Sequence, residues 1–170
     1  MLKRIKGNLI DLAEQGEFDV LVHGANCQNV MGSGIAKEIR ERYPAAFNED
    51  WRWDQRVYNN PLNTDDRIWK LGNYTFSDVN TYSSTKTPFT IVNAYTQVHY
   101  LPRGVDHFEY DSFKLILRKL AAVYPGKRFG FPYIGMGLAG GDKDRIIAML
   151  EDFAETVSAQ GGAVALVEFG

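Results

Sequence analysis

Two glycine-bearing loops, each set between an apolar run and an amphipathic segment, constrain this chain more than any other feature. The first, CQNVMGSG at 27–34, lies between FDVLVH at 18–23 and IAKEIRERYP at 35–44. The second, GMGLAGG at 135–141, lies between FGFPYI at 129–134 and DKDRIIAMLEDFAETV at 142–157. A largely apolar run is the pattern of a strand covered on both faces. Strands that alternate with helices in this way imply a central, largely parallel sheet between two helical layers. Ligands of such sheets bind beyond the carboxyl ends of the strands, and both loops fall at such ends.

The remaining elements follow from periodicity and breakers. Residues 2–6 read as an edge strand, followed by Gly7-Asn8 and a short helical turn over 9–15. Ile35, Ile39 and Tyr43 recur at helical intervals, and Pro44 is expected to close their helix. Residues 45–72 are polar and aromatic and predict a short helix after Pro44 with irregular structure beyond it. Within them, Trp51-Arg52-Trp53 reads as core and surface cover rather than a base-stacking platform. Residues 73–78 and 89–94 read as paired strands joined by the polar NTYSSTKTP. Residues 110–122 form an amphipathic helix with an apolar stripe of Phe113, Leu115, Ile116 and Leu120. A strand at 128–134, a helix at 142–157 and a final buried strand at 163–169 complete the pattern.

At 170 residues the chain fits one domain spanning 1–170. A formal charge of −2 gives no electrostatic case for holding a nucleic acid, although backbone N–H groups can hold a small phosphate without any lysine. Cys27 is the only cysteine, so no internal disulfide can form. It reads as a small packed residue, since no lysine, arginine or histidine within three positions activates it. MLKRIKGNLI lacks a signal-peptide core, and no apolar run approaches the roughly 20 residues that span a bilayer. A cytoplasmic monomer without membrane contact is expected. No cluster with zinc-ligand spacing is present, so neither metal nor cofactor is expected.

Read literally, GMGLAGG contains the G-x-G-x-x-G of dinucleotide-binding folds. That fingerprint opens a βαβ unit and needs an acid about 20 residues on, with a second mononucleotide half to follow. Here the count leads through a helix to AVALVEFG and ends at Gly170, which argues against that fold. A P-loop fails too, because Gly140 is followed by Gly141-Asp142 rather than a lysine and a hydroxyl. What remains is either a tight strand-to-helix turn or a backbone cradle for phosphate. The presence of two such loops favours two clamps on one phosphate-bearing molecule.

Gly7-Asn8, VLVHGANCQNVMGSGIAKEIRERYP at 20–44 and FPYIGMGLAGGD at 131–142 together resemble a macrodomain, the ADP-ribose-binding α/β/α fold. The resemblance implies three layers around a mixed, mostly parallel sheet of about six strands. It is nearest to the branch containing the yeast ADP-ribose 1″-phosphate phosphatase and related phage and bacterial proteins. It further implies that Gly7, Asn8 and Leu9 meet the adenine end of an ADP-ribose derivative. Asn8 stands where many members carry aspartate, which leaves the usual carboxylate contact to the adenine amino group unassigned. Gly24, Ala25 and Asn26 would line the distal ribose. Met31, Gly32, Ser33, Gly34, Ile35 and Ala36 would wrap that ribose and the pyrophosphate. Ile134, Gly135, Met136, Gly137, Leu138 and Ala139 would form the second phosphate loop, and Phe169 would stack on adenine. Asn26 also fits a turn cap, and Phe169 ordinary core.

One macrodomain branch removes ADP-ribose with a strand-end lysine and often carries an acid in its second glycine loop. The corresponding positions here are Gln97 and Leu138-Ala139, which argues against that mechanism. Hydrolysis of ADP-ribose 1″-phosphate needs an aligned water and a proton for the leaving oxygen. His23 is the candidate acid or base, with a core histidine as the bland alternative, and Asn26 the ribose-holding candidate. Asp142 would orient water, or would only cap the helix that follows it. The alternatives are an ADP-ribose reader without turnover, or an ADP-ribosyl hydrolase or O-acetyl-ADP-ribose deacetylase using the same pocket. His99, Asp106 and His107 lie in a segment expected near that pocket.

Overall fold

The structure, a computed structural model, describes the chain except for Ser33, Leu138, residues 59–66, 81–86 and 103–104, and the side chains of 54–58. Ser33 and Leu138, both expected at the ligand, therefore lie outside the described residues. The elements run β1 (Leu2–Lys6), α1 (Leu9–Glu14), β2 (Val20–Asn26), α2 (Gly34–Arg42) and α3 (Pro44–Tyr58). A 3₁₀ turn (Ile68–Lys70), β3 (Tyr74–Val79), β4 (Phe89–Gln97), α4 (Tyr110–Val123), β5 (Arg128–Phe131), α5 (Lys143–Ala159) and β6 (Ala163–Glu168) follow. Six strands form one sheet in the order β1-β6-β5-β2-β4-β3. Every neighbouring pair is parallel except β3 with β4, which is antiparallel. The expected mixed, mostly parallel three-layer architecture is the one observed.

Each face of the sheet buries its own cluster. Val20, Val22, Val92, Phe129, Phe131, Val164 and Leu166 pack beneath α4 and α5. Leu21, Ile91, Ala165 and Val167 pack beneath α1, with Ile39 of α2 and Ala46 of α3. Successive strand residues point to opposite faces, so this parity fixes what each residue of β2 meets.

Several boundaries differ from the sequence expectation. β2 does not stop at Gly24, because Gly24, Ala25 and Asn26 pair with Ala94, Tyr95 and Gln97 of β4. β4 correspondingly continues past Ala94, while β5 ends at Phe131, just before Pro132, which has no N–H for a ladder. β6 ends at Glu168, which leaves Phe169 beyond the sheet and 83% exposed rather than in the core. On α4 the buried stripe is Phe113, Ile116, Leu117, Leu120 and Ala121, the full i, i+3, i+4, i+7, i+8 set, whereas Leu115 is exposed. Pro44 ends one helix and begins the next, filling a first-turn position where its missing N–H is harmless.

The largest difference is α3, a 15-residue helix where a short one was expected. Among its described side chains the inward face is partly polar and makes no simple apolar stripe. Asp50 is buried and accepts from Lys70 Nζ at 2.7 Å, and the side chains are 1% and 0% exposed. The ammonium also donates to Asn29 Oδ1 at 2.7 Å and lies 4.5 Å from the Tyr95 ring centroid. Trp53 packs edge-on to Trp69 and beside Tyr95, in keeping with its expected core role, while Trp51 is exposed.

A directed chain of hydrogen bonds continues from this ion pair across the sheet. Tyr95 donates to Asp50, Thr75 lies 2.9 Å from the Tyr95 hydroxyl, and Asn93 Nδ2 donates to Thr75 and to the Ala46 carbonyl. With both functions of its Nδ2 so engaged, Asn93 offers Oδ1 to His23 Nε2 at 2.6 Å. That assigns the proton to Nε2, and Nδ1 is left without a hydrogen-bond partner among the described residues. Burial pushes the His23 imidazole below its ordinary value, against the opposing pull of Asn93.

Removing one member of the buried ion pair strands the other charge, so Asp50→Leu is expected to lower unfolding free energy by about 3–5 kcal/mol. The double variant Asp50→Leu/Lys70→Met should recover most of that loss, as urea unfolding would report. For His23, the unfolded imidazole takes up a proton below about pH 6.5 while the folded one resists. Stability is then full above that pH and declines as pH falls toward the depressed folded value. Urea midpoints at pH 7.5 and 5.5 should differ, and His23→Gln should narrow the gap.

Candidate functional site

The ends of β2, β4 and β5 point to the same edge of the sheet, and the loops leaving them enclose a cleft. Its wider part, about 560 Å³, is walled by Gly24 and Asn26 of β2, Gln97 of β4, and the start of α2 at Gly34, Ile35 and Ala36. The segment 132–139 after β5 closes the opposite side through Ile134, Gly135, Gly137 and Ala139. Tyr100 and Leu101 border it as well. A second cavity of about 400 Å³ shares Gly34, Ile35 and Pro132 with the first and extends to Gly7, Asn8, Leu9, Glu38, Val167 and Phe169. The two form one elongated groove with α2's first turn at the waist.

The first loop is held by Asn26. Its Oδ1 accepts from Gln28 N at 2.9 Å and from Val30 N at 3.4 Å, and its Nδ2 donates to Val30 O at 2.8 Å. Asn26 therefore forms the turn that the sequence allowed for it, and it also lines the cleft. Asn29, at φ 59°, is left-handed, and Lys70 holds its side chain from below. In the ladder, Gln97 stands opposite Asn26, and Gln97 Nε2 donates to His99 O at 2.8 Å. The position expected to lack a lysine thus lies at the cleft floor.

The second loop is shaped by close approach. Gly135 and Gly140 have φ of 74° and 71°, and a Cβ on Gly135 would lie 2.3 Å from Phe108. A Cβ on Gly141 would lie 2.6 Å from the Gly135 carbonyl. Gly141 N donates to Gly135 O and Gly140 N to Gly137 O, while His107 N ties the β4–α4 segment to Ala139 O. The N–H groups of Gly135, Gly137 and Ala139 have no acceptor among the described residues. Gly137 differs from its neighbours, since a Cβ there would meet nothing within 4 Å. The helix α2 adds its first-turn N–H groups, which intrahelical bonding leaves unused. Backbone donors on both walls and the positive end of a helix dipole suit a phosphate.

Not every residue expected at the ligand faces the cleft. Parity sends His23 and Ala25 to the side beneath α3, opposite to Gly24 and Asn26. His23 is 0% exposed and lines neither cavity, so the acid or base expected there is a core histidine. Ala25 packs with Cys27 and Tyr95. Met31 is buried, and Met136 packs against the α4/α5 core. Asp142 caps α5, its side chain accepting from Arg145 N at 3.1 Å, and it lines neither cavity. Asp106 is occupied by Phe108 N and the Tyr110 hydroxyl, and His107 by Pro102 O. Sequence reasoning missed Gln97 as a wall, Pro132 as the shared ridge, Tyr100, Leu101, and Glu38. Glu38 sits one helical turn beyond Gly34 and Ile35, a spacing that places it on the same face. Among the described lining residues it is the sole charged one. No described group of His, Cys, Asp and Glu forms a metal site, and no described helix is long and apolar enough to cross a membrane.

No family model matches the chain. A 17.5 kDa protein of unknown function from phage T4 is 27% identical over 159 residues, covering 91% of this chain and 90% of that one. The ADP-ribose 1″-phosphate phosphatase of Aspergillus oryzae is 40% identical over 47 residues, 28% of this chain and 22% of the phosphatase. Thus the match spans about a fifth of that enzyme's length. Among solved structures, the macrodomain of Mycobacterium tuberculosis DarG superposes with a TM-score of 0.71 at 20% identity, covering 98% of this chain and 97% of that chain. Thermosipho africanus DarTG, solved in complex with ADP-ribose, gives 0.67 at 12% identity over 90% of this chain and 38% of that chain. The sheet order, the groove at its carboxyl edge and these superpositions agree: this chain has the macrodomain fold.

Proposed function

We propose that the elongated groove binds ADP-ribose. The observation that carries this reading is the junction of two chemically different cavities at the first turn of α2. The cavity bearing Leu9, Ile35, Val167 and the exposed ring of Phe169 is mainly apolar and suits a flat base. The other is ringed by glycines with open N–H groups and suits a pyrophosphate. Beyond it, Asn26 and Gln97 stand side by side as neutral hydrogen-bonding groups for the distal ribose.

We further assign to this groove the release of phosphate from ADP-ribose 1″-phosphate. The 47-residue match to a phosphatase of that substrate supports it. In that reaction water adds to phosphorus, the bond from phosphorus to the C1″ oxygen breaks, and the sugar oxygen leaves with a proton. The contribution of this chain is positioning and backbone electrostatics. The second loop and α2 hold anionic oxygens, and Asn26 and Gln97 orient the ribose that carries the leaving oxygen. Gln97, lacking an amine, cannot form a lysyl adduct, which disfavours the deglycosylating route. One observation favours a reader without turnover: the described residues lining the wider cavity include no Asp, Glu, His or Lys.

Calorimetry with ADP-ribose should give a micromolar dissociation constant. Gly137→Val, whose side chain enters open space, should weaken it at least about tenfold while the thermal melt stays unchanged. An unaltered affinity in the folded variant would make the second loop only a turn. Phosphate release from ADP-ribose 1″-phosphate should exceed buffer and fall by about 10²-fold in Asn26→Ala. Binding without release would identify a reader.

A further inference from the structure

The first glycine loop is gripped from beneath by Arg67 and Lys70, which line neither cavity of the groove. Arg67 Nη1 lies 3.5 Å from Gln28 Oε1, and Lys70 Nζ donates to Asn29 Oδ1 at 2.7 Å. The Lys70 side chain is 0% exposed, so its ammonium depends on protein partners alone. An ammonium has three donors and no acceptor. One goes to Asp50 Oδ1 at 2.7 Å, and the Tyr95 ring centroid lies 4.5 Å from the nitrogen. Asp50 and Tyr95 belong to the polar layer under α3, whereas Asn29 belongs to the loop. Asn29 holds φ 59°, a conformation that residues other than glycine seldom adopt. It turns the chain into Val30, whose N–H and carbonyl are tied to the Asn26 side chain. Val30, Gly32 and Gly34 then wall the wider cavity. The bend at Asn29 thus aims both that wall and the first turn of α2.

We propose that Lys70 is a positioning residue for the groove: it sets ligand affinity from beneath, without touching the ligand, by holding Asn29 in the left-handed bend. This rests on the reading that the groove binds ADP-ribose. A buried ion pair exchanged for apolar side chains of similar volume often costs little stability. Leucine and methionine fill the space of Asp50 and Lys70 but supply no donor to Asn29 Oδ1. The layer under α3 then stays packed while the loop loses its anchor and samples other bends. Only the fraction of molecules with the loop correctly set binds ligand, and apparent affinity falls by that fraction. Stability and affinity are therefore separable at this pair.

The test applies urea unfolding, hydrogen exchange and calorimetry with ADP-ribose to wild type, Asp50→Leu/Lys70→Met, Asn29→Gly and the triple variant. Asn29→Gly keeps access to positive φ, deletes the anchored side chain and leaves the ion pair intact, so it carries the test even if the double variant unfolds. The double variant should recover most of the wild-type stability yet bind ADP-ribose about tenfold more weakly. Its amides at 28–32 should exchange about tenfold faster, while those of β2 and β4 keep their protection. Asn29→Gly should lose a similar factor in affinity. Adding it to the double variant should change affinity by less than about twofold, because both changes break one contact. A folded double variant, or Asn29→Gly, with wild-type affinity and exchange would overturn the proposal. So would losses that multiply in the triple variant, since the two positions would then act independently. A wild type that binds no ADP-ribose would overturn the ligand reading, and the claim on affinity with it.

Discussion

Strand β2 is hydrogen-bonded in parallel on both sides, to β4 and to β5, and the groove depends on that constraint. Parallel pairing brings three carboxyl ends to one edge, so the loops after β2, β4 and β5 meet there. Burial on both faces requires side chains of each parity to be satisfied independently. Val20 and Val22 enter the α4/α5 core, while Leu21 enters the opposite one. At the strand's end the same alternation separates the groove from its support. Gly24 and Asn26 face the groove, and His23 and Ala25 belong to the layer under α3.

That supporting layer is polar to an unusual depth. A buried lysine and aspartate, a tyrosine, a threonine, an asparagine and a histidine form one connected chain. A buried ion pair contributes little net stability over an apolar replacement. What it contributes here is placement, because the Lys70 ammonium also fixes Asn29 in the left-handed bend of the first glycine loop. The floor of the groove is thereby tied to α3 and to the 3₁₀ turn, elements distant in sequence from either glycine loop. The roof is tied separately, by His107 N to Ala139 O.

The architecture was legible because its signals are periodic. Apolar runs, helical stripes and glycine loops between them predicted the six strands, the helical layers and both walls of the groove. α3 was foreshortened in that reading because its buried face carries Asp50, and a buried carboxylate announces itself only through a partner 20 positions away. His23 was misplaced for a related reason. In a run apolar on both faces, nothing in FDVLVH reveals which parity meets the ligand. Asp142 shows the reverse case, where a strong local signal, the N-cap, is the role that the structure displays. Glu38 escaped notice although it lies within the 20–44 segment, because only the approach of α2 to Asn8 brings it to the groove.

The account stands on one molecule lying along one groove. A crystal structure of the protein soaked with ADP-ribose tests that directly. The pyrophosphate should lie between the first turn of α2 and the 135–139 backbone, the base against Phe169 and Ile35, and the distal ribose beside Asn26 and Gln97. A nucleotide bound elsewhere, or in the groove with its base beside Gln97 and its pyrophosphate away from both loops, would contradict it.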